Sequence, residues 1–385
     1  MKIEKIRLIE VDDSFPLLYP SRSMEIKTSR GNITTPNRGA TSYEFNRKKI
    51  LPTEISVDNP FTVYLKKFTG GDVIRLLTKN DEFEQQVKLI ERSDHVSEYS
   101  TLHLCSFQLA TSSGTGPAPM TTLSEGNNLN EFLSSIIDMQ IQANHDIISI
   151  PHFNLSLPML KKTLKTVDET IQKLGKQPFF AIDLRYPDFA EILKFITDDL
   201  QSNFVNLIYR KYVQTRNNYR ELKNYARKPV AFLMSDVERI DPDHANLSTM
   251  HYMPFLGNDL YAVELPPPNI PKKGEAPKPK NLANLKIFDK GELTIDPLIN
   301  KTIDSATILS QVGNPELDNL KEKLDNVGEA RLDGDKYEII NALTKIHELK
   351  TSSAEFSTLQ IYVKERSSKN YIKSKLRLES RLPRA

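Results

Sequence analysis

The chain has 385 residues, 38% of them apolar and 26% charged, with a formal net charge of +2. Such a chain can bury a large core without metals or cross-links, and its composition excludes wholesale disorder. A single cysteine, Cys105, excludes an intrachain disulfide and any thiolate zinc site made by this chain alone.

The opening MKIEKIRLIEVDD alternates charge with short apolar runs and lacks the ~7–15-residue apolar core of a signal peptide. No stretch reaches the ~20 apolar residues of a membrane span, so a cytoplasmic protein without a membrane partner is expected. Residues 1–99 read as an irregular, β-rich part leading into a barrel, with VDNPFTVYLKKF as a strand. STLHLCSFQLA (100–110) reads as a further strand running into SSGTGPAP, a loop of turn formers. That loop lacks a full phosphate-binding pattern and suits a flexible cover over a barrel mouth better.

From 146 to 237 short apolar runs alternate with helical spacing, the pattern of βα units and a parallel sheet. DIISIPHF precedes a helix whose Leu160, Leu164, Val167, Ile171 and Leu174 share one face, with Ser156 as N-cap and Gly175 as stop. QPFFAIDLRY, FVNLIYRKY and KPVAFLMSD open the next three units, the second followed by a helix through NNYRELKNYA. The predicted fold is α/β: a TIM-type (β/α)8 barrel with its core at 100–268, although a doubly wound open sheet gives a similar pattern. PPPNIPKKGEAPKPK (266–280) favours an extended connector. Residues 269–385 as a whole hold that connector, a short β piece (NLKIFDKGELTID) and a helical, basic C-terminal region.

In a βα barrel the strand ends form the active face, so polar residues that terminate apolar runs are the candidates. His152, Asp183, Arg185, Arg210, Lys211, Asp236, Asp259 and Glu264 meet that rule. Converging carboxylates with basic neighbours can run proton transfer or covalent exchange; taken singly, each of these residues also suits a cap or a local ion pair. Asp183 and Glu264 interrupt apolar runs, where an unpaired carboxylate is costly. His244 and His251 are too isolated to make a metal site, and no metal or cofactor is expected.

Residues 364–385 carry eight basic and two acidic side chains, a formal +6 that leaves the remainder at −4. Lys369, Lys373, Lys375, Arg377 and Arg381 are therefore candidates for phosphate contacts, against the plain alternative of a solvated tail or last helix. The segment YRKYVQTRNNYRELKNYARK interleaves four tyrosines with basic residues, which can supply base stacking, while part of it must also pack as a helix.

Taken in order, several segments resemble the tRNA-guanine transglycosylase superfamily over nearly the whole chain. MEIKTSRGNITTPNRG (24–39) is similar to the segment that opens those enzymes, without the phenylalanine-methionine-proline-valine run that usually follows. NHDIISIPHF and KPVAFLMSD resemble two of the family's barrel strands, and LGNDLYAVELPPP its Leu-Gly-x-Asp-Met-Phe-Asp-x-Val-x-Pro segment. KGELTID and the helices of 340–363 fall where the family has comparable pieces.

The resemblance implies exchange of guanine in a nucleic acid for a 7-deazaguanine, through an aspartate nucleophile on the sugar and a second aspartate as acid/base. Here Asp259 matches the segment's first aspartate, the nucleophile position holds Ala262, and Glu264 is the nearest substitute, on the same strand face. The family's acid position falls loosely on CSFQ, at Cys105 or at no residue; its base-reading positions fall on His152 and IDLRY, and its three-cysteine, one-histidine zinc site is absent. Three readings follow. One is a base-exchange enzyme of altered specificity, with Glu264 or Asp183 as nucleophile and Asp259 beside them. The second is a non-catalytic tRNA-binding subunit or paralogue. The third is a barrel enzyme on a small metabolite. tRNA or DNA is the expected partner, and whether the chain forms a homodimer or pairs with a catalytic paralogue stays open.

Overall fold

A computed structural model describes residues 1–14, 19–41, 61–97, 100–110, 117–241, 246–263, 286–297 and 334–382. The proline-rich connector, the tip of the SSGTGPAP loop, His244 and Glu264 lie outside these residues.

The chain begins with β1 (Ile3–Asp12), β2 (Ser21–Thr28) and β3 (Gly31–Thr34), an antiparallel sheet in that order. β4 (Asn37–Thr41) and β5 (Phe61–Phe68) follow, then α1 (Gly70–Thr78), α2 (Asn80–Ser97), β6 (Leu102–Leu109), α3 (Pro119–Leu123) and α4 (Asn128–Gln142). Next come β7 (Ile147–Ile150), α5 (Leu157–Lys173), β8 (Gln177–Asp183), α6 (Phe189–Lys194), β9 (Phe204–Ile208), α7 (Tyr212–Glu221) and β10 (Ala231–Val237). After β11 (Ile240–Asp241) and β12 (Leu247–Ser248), β13 (Leu260–Val263) is followed by β14 (Lys286–Asp289), β15 (Thr294–Pro297), α8 (Gly334–Lys364), α9 (Ser368–Ser374) and α10 (Leu376–Arg381).

Eight strands form one parallel sheet in the order β6, β5, β4, β13, β10, β9, β8, β7, so consecutive barrel strands are sheet neighbours except at β6 and β7, and the last strand, β13, pairs with the first, β4. The molecule is an α/β protein with an eight-stranded, nearly closed parallel barrel, an arrangement consistent with a TIM-type barrel. The open seam is between β6 and β7, and Gln140 of α4 accounts for it. Its side-chain amide accepts from the Ser149 N–H at 2.7 Å and donates to the Ser149 carbonyl at 3.0 Å. One buried glutamine thus satisfies the β7 backbone groups that a β6 ladder would otherwise use. The Phe107 N–H reaches across to Ser149 Oγ at 3.4 Å.

Residues alternate in and out along each strand. Phe61, Val63, Leu104, Phe179, Phe204 and Leu233 fill the lower barrel and pack on Met24, Ile26 and Ile33 of the antiparallel sheet, which plugs the N-terminal end. On the outside, Leu160, Leu164, Val167 and Ile171 of α5 are buried as their spacing predicts, whereas Leu174 is exposed. Gly175 takes φ +68°, the left-handed stop. Ser156 stands at the N-cap of α5 but its hydroxyl makes no capping bond.

Two expectations differ from what is found. The barrel draws β4 and β5 from residues 37–68, ahead of the expected start at 100, and the region read as β-rich also contains α1 and α2. The basic C-terminal segment is docked: the Ser368 N–H donates to Asp12 at 2.6 Å and Arg366 pairs with Glu10 at 3.0 Å, both on β1. No helix among the described residues is long and apolar enough to cross a membrane.

Candidate functional site

Toward the C-terminal ends of the strands the barrel interior turns polar. Asn206 donates to Ser106 Oγ at 2.9 Å and Gln108 to Ser235 Oγ at 3.2 Å, forming a floor of small and amide side chains. Beside this floor opens a cavity of about 550 Å³, the size of an ordinary small-molecule site. Leu109, Ile208, Met120 and Pro187 give it apolar surface, His152 and Tyr186 an aromatic wall, and Asp183, Arg185 and Arg210 its charges. The His152 and Tyr186 rings meet edge to face, 5.0 Å between centroids, and the Tyr186 hydroxyl is fixed by the Leu155 carbonyl at 2.9 Å. A Cβ at Gly70 would stand 1.9 Å from the Pro117 carbonyl oxygen, so only glycine lets α1 start against the segment bearing Ala118, Pro119 and Met120.

Asp183 points inward at the end of β8, in phase with Phe179 and Ala181, and two cations hold it. Arg185 donates through Nη2 at 3.1 Å and through its backbone N–H at 2.8 Å; Arg210 Nη2 donates at 2.5 Å. Burial raises this carboxyl, but the Arg185 hydrogen bonds and the Arg210 charge outweigh it and leave Asp183 below its ordinary value.

Asp236 reaches the same cluster by a different route. By alternation from Leu233 and Ser235 its side chain would face outward. The β10–β13 register slips between Met234 and Val237, and Asp236 adopts φ +66°. This bulge re-aims the carboxylate onto Lys67 Nζ, 2.5 Å away at the inward end of β5, and within 3.7 Å of Arg210 Nη1. Left-handed backbone at a non-glycine residue is kept where the surroundings over-determine it, commonly at functional sites. Here burial dominates: the Asp236 carboxyl is pushed up, Lys67 and Arg210 notwithstanding. Two carboxylates bridged by the one Arg210 guanidinium are therefore driven apart, Asp183 toward the ionised form and Asp236 toward the protonated one. Burial also lowers His152 to about 4, so it is a neutral imidazole at pH 7.

Five predicted residues thus meet at the mouth: His152, Asp183, Arg185, Arg210 and Asp236. Lys211 stands at the rim, 3.9 Å from Glu238. Asp259 is not among them. It precedes β13, at the opposite end of the barrel, where it is fully buried in a paired hydrogen bond with Arg22 of β2, 2.8 and 2.6 Å, and accepts the Phe232 N–H at 2.8 Å. Its geometry fits a clamp between barrel and plug. Ala262 is buried in the lower apolar cluster. Lys369 and Lys373 are exposed, while Lys375 is tied to Glu355 at 2.9 Å; of Arg377 and Arg381 the structure describes only their place on α10. These basic residues follow the stretch bound to β1, beside the plugging sheet rather than at the mouth.

Lys67 and Asn154 belong to the site and were not predicted, and Tyr186 entered only as the last residue of IDLRY. Lys66 and Lys67 follow the apolar run FTVYL near the end of β5, so the rule that selected Asp183 also reaches Lys67. Among the described residues no group of three or more histidine, cysteine or acidic side chains could hold a metal ion. Cys105 is buried, with Sγ 3.9 Å from the His145 ring nitrogens. Neither the protein-family models nor the curated proteins contain a match to this chain.

Proposed function

We propose that the protein is a transglycosylase-like, nucleic-acid-modifying enzyme of the cytoplasm, built on a TIM-type barrel with a β-rich N-terminal part and a helical C-terminal extension, that admits a nucleotide to the barrel mouth. The observation that carries this reading is the placement of Asp183 and Asp236 at the C-terminal ends of β8 and β10, joined through Arg210 beside a nucleotide-sized cavity with an aromatic wall. Base exchange needs one carboxylate that attacks the sugar C1′ as the glycosidic bond to the base breaks, and one carboxyl that gives the departing base a proton and takes a proton from the incoming one. Asp183 has the ionised character of the first and Asp236 the protonatable character of the second. Glu264, following β13, is the other candidate for the attacking group.

Ala262 at the family's nucleophile position, together with the double pairing of Asp183 by arginines, favours a second reading: a subunit that binds tRNA without chemistry. Incubation with labelled guanine or a labelled 7-deazaguanine and either bulk tRNA or duplex DNA separates the two. Incorporation is expected, falling at least ~100-fold in Asp183→Asn and Asp236→Asn, with Glu264→Ala deciding between the two nucleophile candidates. Asparagine tolerates the left-handed backbone at 236, so that variant changes the proton and little else. No incorporation with salt-sensitive tRNA binding would leave the binding subunit; loss of both would leave a barrel acting on a small metabolite.

A further inference from the structure

The charges that line the mouth do not balance. Of the cavity's lining residues, Asp183 is the one anion, Arg185 and Arg210 are two cations, and His152 is neutral at pH 7. Just behind, Lys67 faces Asp236, whose carboxyl burial pushes toward the protonated form, so this pair adds no net negative charge to the mouth. The wall therefore carries one excess positive charge next to apolar and aromatic surface.

The guanidinium donors are also only partly used. Arg185 engages Asp183 through Nε and Nη2, at 3.3 and 3.1 Å, and its side chain is 45% exposed. Arg210 spends Nη1 on the Tyr209 carbonyl at 2.8 Å and Nη2 on Asp183, while its Nε is buried with no partner among the described residues. A guanidinium has five N–H donors in a rigid fork suited to two oxygens of a phosphate. Asp183 thus holds the two arginines side by side and leaves donors over.

We infer that the mouth carries an oxyanion subsite, built from Arg185 and Arg210 and oriented by Asp183, that takes the phosphate group of a nucleotide whose base lies along His152 and Tyr186. The inference rests on the reading of the mouth as a nucleotide site, and it adds which part of the nucleotide the charged corner holds. The phosphate belongs either to a nucleic-acid backbone or to a free nucleotide; its chemistry at the two arginines is the same.

Calorimetric titration of the full chain with guanosine 5′-monophosphate, guanosine and a short single-stranded oligonucleotide tests it. The monophosphate is expected to bind at least ~10-fold more tightly than the nucleoside, as befits a charge-assisted hydrogen bond or two. That preference should vanish in Arg185→Gln, return in part in Arg185→Lys, and survive or grow in Asp183→Asn, which removes the competing anion. Arg185 is half-exposed, so its replacement leaves the barrel folded, and a circular-dichroism melt checks this. An oligonucleotide that binds more tightly than the monophosphate, with the same dependence on Arg185, assigns the subsite to a backbone phosphate; the reverse order assigns it to a free nucleotide. Equal binding of monophosphate and nucleoside, or a preference untouched by Arg185→Gln, overturns the inference. Base exchange without a phosphate preference would remove the subsite and keep the enzyme, whereas a phosphate preference without exchange would do the opposite.

Discussion

Arg22→Ala is expected to lower the free energy of unfolding by about 3–5 kcal/mol, among the largest effects open to a single substitution in this chain. The Arg22 guanidinium is fully buried between the plugging sheet and the barrel. Besides its paired bond to Asp259, it donates to the carbonyls of Tyr225 and Val230, each at 2.7 Å, and more weakly to those of Ala226 and Lys228, both at 3.3 Å. The Tyr19 and Phe232 rings flank it, each centroid 5.5 Å away. Removing it strands the Asp259 carboxylate and several carbonyls without donors in a dry interface. Lysine will not restore the loss, because one ammonium cannot span the carboxylate and the row of carbonyls. The double variant Arg22→Met with Asp259→Leu should recover much of it, since an apolar pair leaves no uncompensated charge. Urea unfolding monitored by circular dichroism measures all three; a loss below about 1 kcal/mol in Arg22→Ala would show that the clamp does not hold plug to barrel.

The second large effect is an acid limb of stability set by His251. This side chain, 2% exposed, is stacked between Phe288 and Phe356 at 5.9 and 6.5 Å, and neither ring nitrogen has a hydrogen-bond partner among the described residues. Burial lowers it to about 4 from an ordinary 6.5, with Glu348 and Glu355 pulling up and Lys375 and Arg38 pulling down. Above about pH 6.5 the imidazole is neutral in both folded and unfolded chains and the stability is intact. As the pH falls from about 6.5 to about 4 the unfolded chain takes up the proton first, so stability declines. Below about 4 both states are charged and the loss levels off near ~3 kcal/mol. His152 titrates over the same window and adds to the decline. His251→Leu, close in volume and with no hydrogen bond to lose, should fold at pH 7 and show a shallower acid limb. Denaturant midpoints taken between pH 7 and 4 test this, and an acid limb unchanged by the substitution would place the sensitivity elsewhere.

How much of this could be read from the chain depended on where each element gets its signal. β7 to β10 announce themselves because strands covered on both faces are nearly continuous apolar runs, as IISI, FFAI, FVNLI and AFLM are but for Ser149 and Asn206. β4 does not: Asn37, Arg38, Gly39, Ala40 and Thr41 are all buried, yet NRGAT has no apolar run. The helices of 70–97 were legible in part. Thr69 and Asp72 form a reciprocal capping box at the start of α1, a spacing visible in TGGD before an apolar stripe.

In the site, the strand-end rule found the residues that point inward by simple alternation, Asp183 above all. It could not show that a register slip turns Asp236 into the barrel, nor that Asp259 faces a partner 237 positions earlier in the chain. Both depend on tertiary packing. Asp236 was selected, and its route to the site was not.

The functional account rests on the opposed protonation of the two mouth carboxylates, and a titration of the protein labelled with 13C at the aspartate carboxyls, followed by NMR, tests that most directly. Assignment comes from the signals lost in Asp183→Asn and Asp236→Asn. Two separated steps are expected, one below the ordinary aspartate value that disappears with Asp183 and one above it that disappears with Asp236. If Asp236 instead titrates at or below the ordinary value, the mouth holds two ionised carboxylates locked in salt bridges, no proton is available for a departing base, and the site binds without catalysing.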